Sequence, residues 1–101
     1  MRMLMHLQFP LEPFNTWVRD GSAGKKVQAI LEAIRPEAAY FSENNGHRGG
    51  LLVVNVKDPS DVPVLAEPWF LTFNAAVEFR IAMTPEDLSR ANLDALGKKW
   101  A

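Results

Sequence analysis

From Arg2 to Phe9 the chain alternates with a period of two, Met3, Met5, Leu7 and Phe9 on one side and Arg2, Leu4, His6 and Gln8 on the other. Successive side chains of a strand point to opposite faces, so this pattern predicts a strand buried on one face only. Pro10 and Pro13 end it, because proline has no amide to donate to a ladder. Three more segments carry the same period. Glu37 to Glu43 sets Ala39 and Phe41 opposite Ala38, Tyr40 and Ser42, and Leu51 to Val56 places Leu52, Val54 and Val56 together. Ala75 to Met83 turns Val77, Phe79, Ile81 and Met83 inward and Glu78 and Arg80 outward.

Between the strands the period lengthens. A short helical piece is expected over Glu12 to Asp20, closed by Gly21. A longer helix follows in which Val27, Ile30, Leu31 and Ile34 fall on one stripe, capped by Ser22 and ended by Pro36. Asn44-Asn45-Gly46 supplies positive-φ residues for a hairpin, with Gly49-Gly50 assigned to the same turning region. Ser60 is placed as the cap of a helix that Pro68 should kink or end, with Trp69, Phe70 and Phe73 beyond it as a core plug. Thr84-Pro85-Glu86-Asp87 reads as a cap, a first-turn proline and first-turn acids opening one terminal helix, closed by Gly97.

The resulting order is strand, helix, strand, strand, helix, strand, helix. It predicts an α+β fold, a ferredoxin-like βαββαβ single domain over residues 1–101 with an extra C-terminal helix. The first and third strands should lie at the centre and the last beside the first, with His6 near Glu78 or Arg80 on one side and near Asn55 on the other. Helices on one face leave the second uncovered, and two such faces can pair into a dimeric α/β barrel, which also protects exposed strand edges.

The uncovered face carries the chemistry. His6 is the candidate acid or base, since its ordinary pKa lies closest to neutrality, with Glu78 and Arg80 setting its charge environment. Tyr40, Asn55 and Gln8 are candidate ligand-orienting groups. The same residues can equally define the register of a dimer or form modest cross-strand pairs. Gly46-His47-Arg48-Gly49-Gly50 could cradle an anion, but the turn explains its glycines more simply. Trp17, Trp69 and Trp100 could line a cleft, but beside Phe14, Phe70 and Phe73 they are better read as core. No dinucleotide fingerprint, phosphate loop or nucleophile elbow is present.

Composition narrows the classes further. Eleven basic and twelve acidic side chains give a net charge of −1, which offers no long-range attraction to nucleic acid or an anionic membrane. The RNA-binding version of this fold stacks bases on aromatic residues of its third strand, where Arg48-Gly49-Gly50-Leu51-Leu52-Val53-Val54-Asn55 has none. There is no cysteine, which excludes thiol chemistry, and two histidines, one on a strand and one on a loop, make a poor metal set. Neither a metal nor a cofactor is expected. His6 and Gln8 interrupt any secretory signal, and no stretch reaches the roughly 20 apolar residues of a membrane span, so a cytoplasmic protein is expected.

Arg19-Asp20-Gly21-Ser22, Pro36-Glu37-Ala38-Ala39-Tyr40-Phe41, Glu67-Pro68-Trp69-Phe70-Leu71 and Met83-Thr84-Pro85-Glu86-Asp87-Leu88 together resemble a family of short uncharacterised bacterial proteins. In topology the chain is similar to the dimeric α/β barrel superfamily, which includes muconolactone isomerases, small monooxygenases, heme-degrading enzymes and ligand-binding proteins. That resemblance implies a homodimer with a small-molecule ligand, and either a cofactor-independent isomerase or monooxygenase-like enzyme or a ligand-binding protein. Heme-binding members use a helical histidine, and neither His6 nor His47 falls on an expected helix. The rival expectation is a non-catalytic assembly module whose polar sheet face only specifies the homodimer.

Overall fold

A computed structural model describes residues 1–101, with strands β1 (Arg2–Phe9), β2 (Ala38–Asn44), β3 (His47–Asn55) and β4 (Ala76–Ile81). The helices are α1 (Phe14–Arg19), α2 (Ala23–Ile34), α3 (Asp61–Phe73), α4 (Pro85–Arg90) and α5 (Leu93–Lys99). The four strands form one sheet in the order β2-β3-β1-β4, every pair antiparallel, with the first and third strands central as expected. Two split β-α-β units in this strand order define the architecture. The fold is ferredoxin-like.

The core lies on one side of the sheet. Met5, Leu7 and Phe9 from β1 and Leu52 and Val54 from β3 are all at most 2% exposed, and they meet Ile30 of α2 and Leu65, Trp69 and Phe73 of α3. The rings interlock edge to face: Phe9 stands 5.2 Å from Phe73 and 5.9 Å from Trp69, and Trp17 of α1 stands 5.4 Å from Phe73. Such pairs add roughly 0.5–1.5 kcal/mol beyond the area they bury. Trp17 and Trp69 are therefore core residues, whereas Phe70 is 39% exposed and Trp100 77% exposed. The stripe read for α2 packs as expected, with Ile30 buried and Val27, Leu31 and Ile34 half-buried against the core.

Several local expectations are corrected. Pro68 does not end α3, which continues to Phe73 because Leu65, Ala66, Trp69 and Phe73 hold its apolar face in the core on both sides of the proline. Ser22 and Ser60 occupy the cap positions of α2 and α3, but neither side chain caps. At α3 the Asp61 carboxylate instead accepts from the amides of Lys57 and Asp58 at 3.0 and 3.1 Å. β4 stops at Ile81, opposite Met3, and Ile81 and Met83 are exposed rather than inward; beyond the strand the Ala82 amide still donates to the Arg2 carbonyl at 3.1 Å.

The hairpin turn is two residues, Asn45 (φ 53°) and Gly46 (φ 77°), closing the pair Asn44 and His47. His47 thus begins β3 rather than lying on a loop. Gly49 and Gly50 also belong to β3, and what they supply is room rather than turning. A Cβ on Gly49 would stand 2.6 Å from Asn44 Cβ and 2.8 Å from the Leu7 carbonyl oxygen. Through that gap Asn44 Nδ2 reaches across β3 and donates to the Leu7 carbonyl of β1 at 3.3 Å.

The C-terminus holds two short helices instead of one. Asn92, with φ 55°, separates them and its side chain accepts from the Ala95 amide, while Gly97 lies inside α5. Thr84 and Asp87 form the expected reciprocal capping pair at α4. No helix of the chain is long and apolar enough to cross a membrane.

Candidate functional site

The face of the sheet away from α1–α3 is uncovered, and strand register orders its side chains into rows. One row runs Tyr40, Leu51, His6, Glu78 from β2 to β4. The next, toward the start of β1, runs Ala38, Val53, Leu4, Arg80, and the row on the hairpin side runs Ser42, Gly49, Gln8, Ala76. His6 is therefore directly opposite Glu78, one of the two neighbours expected for it, and Arg80 is opposite Leu4. The β3 neighbour of His6 is Leu51 and not Asn55, which pairs with Arg2 four residues along the strand, about 13 Å away at roughly 3.3 Å per residue.

Central residues of the face, Leu4, His6, Gln8, Leu51 and Val53, are half-buried, whereas Tyr40, Glu78 and Arg80 at its margins are exposed. The His6 side chain has no hydrogen-bond partner within the protomer, because the Glu78 carboxylate turns along its own strand to accept from Arg80 Nη2 at 3.2 Å. The ion pair runs along one strand and not between strands, and pairs this exposed contribute roughly 0–1 kcal/mol. The arrangement leaves an imidazole between an apolar residue and a carboxylate with both ring nitrogens unengaged.

Alternate positions of β3 counted back from Asn55 reach His47, which brings a second histidine to this face. His47 Nδ1 lies 3.3 Å from Gln8 Nε2 and 3.1 Å from the Asn45 carbonyl oxygen. A protonated Nδ1 donates to Asn45, and an unprotonated one accepts from Gln8, so the two contacts exclude each other. The hairpin-side residues Gln8 and His47 and the row of His6 form one patch, with Tyr40 at its edge. Arg80 lies one row away. Asn55 stands apart, accepting from the N-terminal amine at 3.1 Å, and Arg2 pairs with Glu37 at 3.1 Å.

Beside His6 the face dips into an open groove of about 310 Å³ bounded by Tyr40, Ser42, Glu43, Asn44, Gly50 and Leu51. A larger cleft of about 480 Å³ lies at the hairpin end on the helix side of the sheet, lined by the aromatic rings of Phe9, Phe14 and Phe41 with Val27. Arg48 borders that cleft but is committed elsewhere: Nη1 donates to Asn15 Oδ1 at 2.7 Å and the guanidinium lies 4.7 Å from the Phe14 ring centre. The anion-cradle reading of residues 46–50 therefore fails, since its cation points to α1, Gly46 serves the turn, and Gly49 and Gly50 are extended strand. No group of three or more His, Cys, Asp or Glu residues is placed to hold a metal ion.

The carboxylates with displaced pKa values lie outside this face. Thr16 hydrogen bonds hold Glu12 below its usual range, Ser22 does the same for Asp20, Ser60 for Asp58, and the Thr84 amide for Asp87. Each organises a turn or a helix start.

No family model matches the chain, and no curated protein matches it. Among solved structures it is similar to 5-chloro-2-hydroxyhydroquinone dehydrochlorinase (TftG) from Burkholderia phenoliruptrix in complex with 2,5-dihydroxybenzoquinone. The TM-score is 0.55 at 16% identity, over 86% of this chain and 99% of that one. At that identity the likeness is one of fold, in agreement with the strand order.

Proposed function

We propose that the protein binds a small organic molecule on its uncovered sheet face and acts on it without a cofactor, as a homodimer whose two faces meet. One observation carries this reading. His6 is half-buried at the centre of the face, in a row that spans all four strands, and its side chain has no partner in its own protomer. A histidine placed only for structure gains most when its ring nitrogens are hydrogen-bonded, whereas a proton carrier needs one free.

In this reading His6 takes up or delivers a proton, and the Glu78–Arg80 pair beside it adjusts the charge the imidazole feels. Tyr40 and Gln8 supply a hydroxyl and an amide on either side for hydrogen bonds to ligand oxygens, while Leu4, Leu51 and Val53 supply the apolar floor that small-molecule sites usually have. Closure by a second copy would exclude water and strengthen each polar contact. Planar oxygenated rings suit such a floor, and the ligand of the structurally similar dehydrochlorinase is of that kind.

The test uses that compound as the probe. Titration of 2,5-dihydroxybenzoquinone into the protein, followed by calorimetry, should show saturable binding that weakens at least about tenfold in His6→Ala, a loss of roughly 1.4 kcal/mol. Absence of binding to a panel of hydroxylated quinones and phenols, together with an altered dimer in His6→Ala, would overturn the ligand reading and leave the face as an assembly surface.

A further inference from the structure

A glycine separates two polar groups of the uncovered face. Alternate positions of β3 place His47 and Gly49 on that face, and Gly49 is the residue opposite Gln8. His47 is thus a diagonal neighbour of Gln8, and such neighbours stand roughly 7–8 Å apart at the backbone, within reach of long side chains. With no side chain at Gly49 to intervene, the amide and the ring meet, Gln8 Nε2 lying 3.3 Å from His47 Nδ1. Gln8 is half-buried, lies two residues from His6, and its side chain has no other hydrogen-bond partner in the protomer.

The two partners of Nδ1 make opposite demands on it. The Gln8 nitrogen only donates, so Nδ1 must be bare to receive it, whereas the Asn45 carbonyl oxygen, 3.1 Å from the same atom, only accepts, so Nδ1 must carry hydrogen to reach it. While Nδ1 is bare, the amide is held by its nitrogen and its carbonyl oxygen remains open to a third group. When Nδ1 carries a proton, two N–H groups face each other, and the amide lets go or turns over. Turning is easy, because the terminal torsion of glutamine has two broad wells.

Nothing else on this face bonds to the ring. The ionisable groups of the face and its turn are His6 on β1, Tyr40 and Glu43 on β2, and Glu78 and Arg80 on β4. Glu43 accepts from the Gly46 amide at 2.9 Å, Glu78 and Arg80 pair with each other, and Arg48 is directed to Asn15 on the helix side.

We infer that His47 is a positioning residue for the ligand site proposed above, on which this inference rests: its Nδ1 decides whether Gln8 offers the ligand an acceptor or a donor. With Nδ1 bare, the Gln8 carbonyl oxygen accepts from a ring hydroxyl. With Nδ1 protonated, the released amine donates to a carbonyl or phenolate oxygen. The ligand class selected by a bare Nδ1 is a hydroxylated ring that keeps its proton.

The link between ring and amide is tested without any ligand. Long-range ¹H–¹⁵N spectra of the full chain, taken where His47 is neutral, should show hydrogen on Nε2 and a bare Nδ1, and Gln8→Leu should move the ring toward the Nδ1–H form, with Asn45 its remaining partner. A ring already in the Nδ1–H form and unchanged by Gln8→Leu overturns the inference. The consequence is read by calorimetry with hydroquinone and 2,5-dihydroxybenzoquinone. Hydroquinone affinity should fall at least about threefold in His47→Leu, the size expected for one neutral hydrogen bond. His47→Asn, whose amide oxygen stands near the place of Nδ1 and accepts without ionising, should restore it. In the wild type the affinity should fall as His47 protonates, and His47→Asn should lose that fall while keeping any step that belongs to His6. Binding of the quinone with hydroquinone affinity equal in the wild type and His47→Leu overturns the inference and leaves the ligand site standing. A wild type that binds neither compound removes the site itself, and the role of His47 with it.

Discussion

The two faces of β1 share one backbone and differ in everything else. Met5, Leu7 and Phe9 are sealed under α2 and α3, while Leu4, His6 and Gln8, one residue away in each case, remain half-open. On the sealed side each side chain is fixed by its neighbours, and the chemistry is uniformly apolar. On the open side the apolar residues only form a floor, and the polar ones are spaced so that His6 is left without a partner. The comparison shows how a small domain divides labour: one face is closed by packing, and the other keeps polar groups within reach of solvent or a ligand.

The largest expected effect tests the sealed side. Trp69→Ala or Phe73→Ala removes a ring at the centre of the aromatic cluster and should cost about 3–5 kcal/mol, visible as a large drop in thermal midpoint at about 4–8 °C per kcal/mol. Trp69→Phe should cost far less, because the indole N–H is buried without a hydrogen-bond partner and its loss removes an unsatisfied donor. Equal losses for the two Trp69 variants would contradict the packing described for α3.

Next in size is Gly49→Ala, which forces a Cβ into Asn44 and the Leu7 carbonyl and should destabilise by about 1–3 kcal/mol, measured by urea unfolding. The cross-strand Asn44 bond should be lost with it. A neutral result would mean that the hairpin shifts freely. On the open side, His6→Ala and Tyr40→Phe should change protomer stability by about 1 kcal/mol or less while reducing ligand binding. A core-sized penalty for His6→Ala would erase the distinction between the faces.

Smallest is the acid response. Asp20, Asp58 and Asp87 have pKa values lowered in the folded chain by amides and hydroxyls of Ser22, Ser60 and Thr84. A lowered folded value means that the stabilisation is fully present above the ordinary 3.8 and fades as pH falls through the folded values. Thermal midpoints should be level just above that range and decline below it. Ser60→Ala and Thr84→Ala should each flatten that decline slightly by weakening the hydroxyl contacts that lower Asp58 and Asp87.

Most of the scaffold was legible in the chain. Period-two alternation located all four strands and put their central side chains on the right faces, because the pleat fixes parity, and the Asn-Gly pair located the hairpin; the start of β3 and the end of β4 were misjudged. What misled were residues whose role depends on neighbours distant in sequence. Pro68 looks like a helix end, but the core holds α3 through it. Gly49 and Gly50 look like turn residues, but the approach of Asn44 and Phe41 needs them small. His47 looks like a loop histidine until the ladder extends to the turn and delivers it to the open face.

For the candidate site the division is similar. Alternation alone put His6, Gln8, Tyr40, Glu78 and Arg80 on one face, since strand parity is a local property of the backbone. Register decided the rest: that His6 meets Leu51 and Glu78, that Asn55 lies far from both, and that Glu78 turns to Arg80. Register depends on which residues pair across the whole sheet, and a separation of four residues along a strand is invisible until a second strand is laid beside it. The exposure of α4 and α5 was likewise a tertiary matter, because apolar residues at 88, 93, 96 and 100 do not state whether the rest of the chain covers them.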